Sequence, residues 1–598
     1  MWVGFNKTWV EVASGWVVRV LTWGGVGLLL TIWRLLAEGY GLQGDLALHY
    51  HLARTAVAGM AWGEWWPVWA GLMEGGRGSS LFTFYPPLLY VLTGLLSLAG
   101  VSLIGALGVM TVLTLVSTQW AAWRMAGICL QGRPRMLASV MGVALPGVAL
   151  IGVNRGFLTQ SLATCFLVLT IDGLIRILGG ERRSGDWWLL CGGLVGVVLS
   201  HPVSAYLAAL TTILVIAVRG GWCDRQVWQA AGRIGLACLF CAAVTAFFWI
   251  PQISELNWVK IGLHLEKQSF HNYLLFAKAS TATPYRQAWQ GLNEVAGLVT
   301  LVQSGLSLVA VLVVWRKSSA IGKGGDLLVR YGVAGTVFGL LISLPALELL
   351  WDVIPGLPFI QFPWRLQPLV GIVGGVLTVT AMSRRAEQVS RLVVIGESVI
   401  MLLLGLGIIL TCLLCRAQSK PGVNSDTQFL TAISEKAEGL SYDEARALQE
   451  GGSREFVRYT ANLVYFRPQA AETKIYPAVD QPGGLELIGA RVERIETLKM
   501  GMSERRFRVR LDTPAKGRLL SYAYPHWQAR VDGKTVPISV ETGTGLMLVD
   551  LPAGEYELHF RYGQPLYPRL ISLIALVGTL IVMGFVSIRR WAWYTPGR

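Results

Sequence analysis

Asp45 and His49 stand four residues apart in the run Gly44-Asp45-Leu46-Ala47-Leu48-His49-Tyr50-His51. If 45–58 is helical, that spacing puts both on one face and turns His51 roughly the other way. A carboxylate beside an imidazole at the edge of a bilayer suits a general base for an acceptor hydroxyl, because low dielectric raises a carboxyl pKa. The same residues also fit a helix N-cap at Asp45 with a solvated His49. Cations form the second constellation. Arg155 and Arg365 fall on the side of the chain where loop charges that fix membrane orientation are not expected, and a guanidinium fork matches a pair of phosphate oxygens. His201, followed by Pro202, adds a proton-responsive donor at a third turn. Snorkelling to lipid headgroups is the competing account of each.

The elements that must position these groups follow from composition. Only 15% of the 598 residues are charged and mean hydropathy is +0.51, against about 25% charged in soluble domains. Apolar stretches of roughly 20 residues recur along most of the chain, which marks a polytopic membrane protein. Collagen, coiled coil, disordered tail and soluble cytosolic enzyme are excluded together. Twelve spans are expected at 15–37, 103–125, 136–153, 157–178, 187–200, 203–219, 233–250, 293–315, 331–350, 364–382, 392–415 and 567–588. The net charge of +15 comes from basic clusters near 124–135, 176–183, 219–233, 316–330, 384–391 and 589–590. All fall on one side if both termini are cytoplasmic. They read as orientation charges, and no nucleic-acid surface is expected. Keeping them on one side requires that Pro86–Gly100 not cross the membrane, so it is expected to be interfacial or re-entrant within an external loop, 38–102. Eight cysteines scattered through apolar runs make a disulfide framework an unsuitable reading.

Between the last two spans lies a long external insertion, 416–566. Its first part looks helical. From about 485 the period becomes two: Arg506-Phe507-Arg508-Val509-Arg510-Leu511 alternates, and Asp532-Gly533 marks a hairpin turn. Short, closely spaced strands predict a β-sandwich. The expected domains are therefore 1–415, a membrane domain; 416–566, a mixed then β-rich extracytoplasmic domain; and 567–598, the last helix with a cytoplasmic tail. The tryptophans Trp62, Trp65, Trp66 and Trp69 fit sugar stacking and, more simply, an interfacial belt. Asp172 and Arg176 are spaced as a helical ion pair.

Several motifs resemble those of integral-membrane glycosyltransferases of the GT-C superfamily, in particular YfhO-like and 6-pyruvoyl-tetrahydropterin-synthase-related bacterial membrane proteins. They are Gly44-Asp45 with His49 after the first helix, the Trp-Pro-x-Trp segment, Phe82-Thr83-Phe84-Tyr85-Pro86-Pro87-Leu88, and Gln361-Phe362-Pro363-Trp364-Arg365. Tyr524-Pro525-His526-Trp527, Val531-Asp532-Gly533 and Leu551-Pro552-Ala553-Gly554 are similar to the YfhO-type C-terminal domain. The resemblance implies an α-helical GT-C-like membrane domain in a bacterial cytoplasmic membrane. It also implies transfer of a sugar from a polyprenyl-phosphate donor to an extracytoplasmic acceptor. Asp45 matches the family's first-loop acidic residue, with His49 as its neighbour, and Arg155, His201 and Arg365 would bind substrate. Many relatives carry a second acidic residue in the next external turn. Here Asn154–Gln160 holds no carboxylate, which argues against a two-carboxylate metal site, so no metal ligand is assigned, no cofactor is established, and a divalent metal stays an open but disfavoured expectation. Two other readings remain: a non-catalytic assembly protein for envelope polymers, and a lipid-linked glycan transporter, against which stands the lack of paired broken helices.

Overall fold

A computed structural model describes residues 46–61, 63–65, 68–144, 157–180, 184–260, 269–275, 284–315, 322–385, 484–489 and 492–594. The helices that matter below are α1 (Leu46–Ala61), α2 (Leu88–Leu98), α3 (Leu103–Ala126), α4 (Gly132–Ala144), α5 (Leu158–Leu178), α6 (Ser184–Ser200), α7 (Pro202–Arg219), α8 (Arg225–Val244), α9 (Ala246–Ser254), α10 (Pro284–Trp315), α11 (Gly322–Leu341), α12 (Gln367–Arg385) and α13 (Tyr567–Tyr594). Five described helical stretches are long and apolar enough to cross a membrane: Gly105–Ala126, Leu158–Leu178, Pro202–Arg219, Arg225–Val244 and Pro363–Ser383. Gly322–Leu341 with Pro345–Val353, bent by 95°, adds a sixth if the pair is one span. The expected spans at 15–37 and 392–415 lie outside the described residues. Rows of exposed Leu, Ile and Val on α10 (Leu301, Leu306, Val309, Leu312) and α13 (Leu570, Ile574, Ile581) suit contact with lipid. The Pro86–Gly100 segment forms α2, whose 11 residues rise only about 16 Å, roughly half a bilayer core.

The described residues fall into two compact units. The first comprises Met1–Arg54, Leu88–Gly232 and His264–Phe456. Its centre is α5, buried on nearly all sides. Helix α6 packs closely on it because a Cβ at Gly193 would stand 2.8 Å from the backbone nitrogen of Thr170. Near the ends of these helices lies the pair read from the i,i+4 spacing: Arg176 Nε donates to Asp172 Oδ1 at 2.8 Å. Tertiary structure enlarges it, since Arg124 Nε donates to Asp172 Oδ2 at 2.9 Å and Arg124 Nη2 to Asp186 Oδ1 at 3.1 Å.

The second unit comprises Thr55–Pro87, Arg233–Leu263 and Val457–Arg598. The boundaries expected from the sequence follow chain order; this unit does not, because 55–87 and 233–263 pack with the β-rich segment. Nine strands follow: β1 (Leu485–Ile488), β2 (Val492–Met500), β3 (Glu504–Leu511), β4 (Ala515–Tyr522), β5 (Trp527–Val531), β6 (Lys534–Val536), β7 (Ser539–Val540), β8 (Leu546–Leu551) and β9 (Gly554–Tyr562). They form two antiparallel sheets, ordered β1-β4-β8-β7 and β2-β3-β9-β5-β6. The alternation seen at 506–511 holds, with Phe507, Val509 and Leu511 buried and Arg508 and Arg510 exposed. Asp532 and Gly533 close the β5–β6 hairpin with φ of 46° and 79°, the two left-handed positions of a type I′ turn. The expected helical part near 426–451 lies outside the described residues.

Tryptophan placement corrects the belt expectation at one position. Trp69 is fully buried, packed 5.1 Å from Tyr562 and edge-on to Trp527 at 5.6 Å. Its indole therefore serves the second unit's core. Trp65 is exposed, and Trp62 and Trp66 lie outside the described residues.

Candidate functional site: a histidine–arginine cluster

Of the five residues singled out by sequence, His49, His201 and Arg365 are described and all belong to the first unit; Asp45 and Arg155 lie outside the described residues. Helix α1 begins at Leu46 and carries His49 into the interior at 2% exposure. The ring is held by the hydroxyl of Tyr90 on α2, 2.8 Å from Nδ1. Its Nε2 is buried and makes no hydrogen bond to any described residue. A buried polar atom left in that state costs free energy unless a ligand or water answers it.

His201 caps α7. Pro202 at the first helical position fixes the entry, and His201 Nδ1 accepts from the Ser204 backbone N–H at 3.2 Å, with the Ser204 hydroxyl at 2.9 Å. A backbone N–H can only donate, so Nδ1 is the acceptor and the neutral ring carries its proton on Nε2. His201 is thereby an N–H donor whose orientation is set by its own helix.

Arg365 sits in a short 3-10 turn, Pro363–Leu366, that precedes α12. Its Nη1 donates to the Ile360 carbonyl at 2.7 Å and to Gln361 Oε1 at 3.2 Å, and the guanidinium lies 4.6 Å from the Phe362 ring centroid. Phe362 stacks on Trp364 at 4.9 Å, and Trp364 on Phe157 at 5.9 Å. Gln361 adopts φ of 61°, an unusual value for a non-glycine residue that the surrounding contacts must hold in place. The Gln-Phe-Pro-Trp-Arg motif is thus a preformed mount for one cation.

Electrostatics joins the three. His201 is held well below the ordinary imidazole pKa, first by burial and then by the nearby Arg365 and His49. Burial lowers His49 to about 3. Burial, helped by Arg54, also lowers His51 to about 3. At neutral pH His49, His201 and Arg365 therefore combine a guanidinium with two neutral imidazoles, a donor set suited to an anion. It does not fit a divalent cation, because a guanidinium stands among the nitrogen donors. No group of three or more metal-ligating side chains occurs among the described residues.

The depressed histidines have a stability consequence. Folded-state values lie below 6.5, so from pH 6.5 down to about 3 the unfolded chain takes up protons that the folded chain refuses. Each histidine then removes about 1.4 kcal/mol per pH unit. The unfolding midpoint should fall as pH drops from 7 to 5, and His49→Asn should flatten that slope. An equal slope in the variant would show that His49 does not titrate in this way.

Two members of the site were not legible beforehand. Tyr90 lies in an apolar run and Gln361 in a motif read for its arginine. A second buried cluster, in the other unit, was legible only in pieces. Glu255 lies in a stretch of alternating acidic and basic residues, a pattern usual for a solvated face, yet it is 1% exposed. Tyr524 donates its hydroxyl to Glu255 Oε2 at 3.1 Å, and His526 Nε2 lies 2.9 Å from Oε1. Gln564 Nε2 donates to Oε1 at 3.4 Å. Burial, then the Glu255 charge, pushes the Tyr524 phenol well up.

No protein-family model matches the chain, and no curated protein is significantly similar to it.

Proposed function

We propose that the protein is a GT-C-type membrane glycosyltransferase that moves a sugar from a polyprenyl-phosphate donor to an extracytoplasmic acceptor in a bacterial cytoplasmic membrane. The observation that carries this reading is that His201 stands within electrostatic reach of both Arg365 and His49, residues from three distant parts of the chain, while His49 keeps a buried Nε2 with no described partner. In this reading Arg365 binds the donor phosphate, with Arg155 as a second cation. His201 donates Nε2–H to a phosphate oxygen. Asp45, four residues before His49 in the sequence, takes the proton of the acceptor hydroxyl, and His49 orients the acceptor or tunes that carboxylate. As the sugar bond to the new oxygen forms, the bond to the phosphate breaks and the phosphate leaves with the electron pair, stabilised by Arg365. Twelve spans with both ends cytoplasmic, and a β-sandwich placed outside before the last helix, complete the architecture we propose.

Arg365 gives a direct test. Partly desolvated hydrogen bonds to a charge are worth about 1.5–3 kcal/mol. Arg365→Ala should therefore weaken binding of a polyprenyl phosphate roughly ten- to hundredfold in protein whose unfolding midpoint is unchanged. Arg365→Lys should restore only part, because the fork is lost. Unchanged affinity in a folded Arg365→Ala preparation would remove the phosphate assignment.

A further inference from the structure

We propose that the second unit carries a binding cleft for a neutral saccharide, between the 3-10 turn Leu256–Trp258 and the β5–β6 hairpin. The cleft measures about 500 Å³; Asn257, Gln528 and Thr535 share its lining with Trp258 and Tyr524 and with a mostly apolar remainder that includes Val536. That volume lies within the range of about 300–1,000 Å³ typical of small-molecule sites. All of these residues belong to one unit, so the cleft is a property of that unit by itself.

Three observations select the ligand class. The first is a fixed aromatic surface. Trp258 packs edge-to-face on Tyr524 at 5.5 Å and on His526 at 5.2 Å, and both of those rings are pinned by the buried Glu255 carboxylate. An indole so held is preorganised for stacking, which suits the apolar face of a sugar ring. The second is the polar complement. Asn257 and Gln528 are exposed, and with Thr535 they offer both donors and acceptors, the pairing that vicinal hydroxyls need. The third is charge. Arg508, Arg510, Arg530 and Arg561 occupy exposed positions on the same five-stranded sheet, yet no described residue that lines the cleft is charged. A neutral polyol fits; a phosphate or an acidic sugar does not.

The inference goes beyond the transferase reading and does not depend on it. The test uses the full chain in lipid nanodiscs, since a maltoside detergent would offer its own sugar. Saturation-transfer NMR with maltotetraose, cellotetraose, chitotetraose and mannotetraose is the binding measurement, with tetragalacturonate as the acidic control. At least one neutral tetrasaccharide should bind and the acidic one should not. Trp258→Ala should weaken the bound sugar roughly three- to tenfold. Asn257→Ala and Gln528→Ala, both at exposed positions, should each weaken it severalfold, and they decide the matter if Trp258→Ala fails to fold. Arg365→Ala should leave the sugar affinity unchanged, which separates this cleft from the phosphate site. Binding by none of the neutral tetrasaccharides would overturn the proposal, as would binding unaffected by Asn257→Ala and Gln528→Ala. Uptake of an apolar probe such as N-phenylnaphthylamine without any saccharide binding would also overturn it, in favour of an apolar docking cleft.

Discussion

Asp45→Asn is expected to cut sugar transfer by about 10²- to 10⁴-fold, the usual contribution of a positioned general base. The substitution keeps the size and most hydrogen bonds of the side chain and removes the proton acceptor. Protein level and polyprenyl-phosphate affinity should stay as they are, because Arg365 and His201 hold that end of the donor in the proposed site. His49→Ala should cost less than Asp45→Asn: an orienting neighbour does not itself receive the proton. The decisive measurement is single-turnover transfer from a lipid-linked sugar in nanodiscs, with donor binding determined in parallel. Full activity in Asp45→Asn would reject the base assignment. Absence of transfer from any lipid-linked sugar by the unmodified protein would instead favour a non-catalytic role in envelope assembly or transport.

Asp172→Ala is expected to lower the stability of the first unit by on the order of 3 kcal/mol, roughly a hundredfold in the folding equilibrium. The Asp172 side chain is completely buried and bonds both Arg124 and Arg176. Removing it leaves two guanidiniums facing each other beside α5. The lower end of the range of about 3–5 kcal/mol for breaking a buried ion pair applies, because Arg124 is 30% exposed and keeps Asp186 as a partner. Asp186→Ala should cost less, since it leaves Asp172 with both arginines. The unfolding midpoint in a matched lipid environment reads both effects. Equal, small losses for the two aspartates would mean that the cluster is a solvated surface network.

Sequence by itself determined what is local and periodic. The Asp172–Arg176 pair follows from helical i,i+4 geometry, the 506–511 alternation from the two-residue period of a strand, and the Asp532-Gly533 turn from the left-handed conformations that only a few residue types tolerate. Apolar stretches likewise marked helices able to cross a membrane. Tertiary structure decided which distant residues meet. Nothing in the spacing of His49, His201 and Arg365 encodes their approach, nor that of Glu255 to Tyr524 and His526, nor the burial of Trp69 among Trp527 and Tyr562. Local patterns are written in a single sequence because each helix or strand repeats every few residues. Contacts across hundreds of residues depend on how whole apolar faces pack together, and many chains of the same pattern satisfy that packing with different partners. The polar groups that packing brings inside are then set by tertiary geometry, and the chemistry of both clusters follows from it.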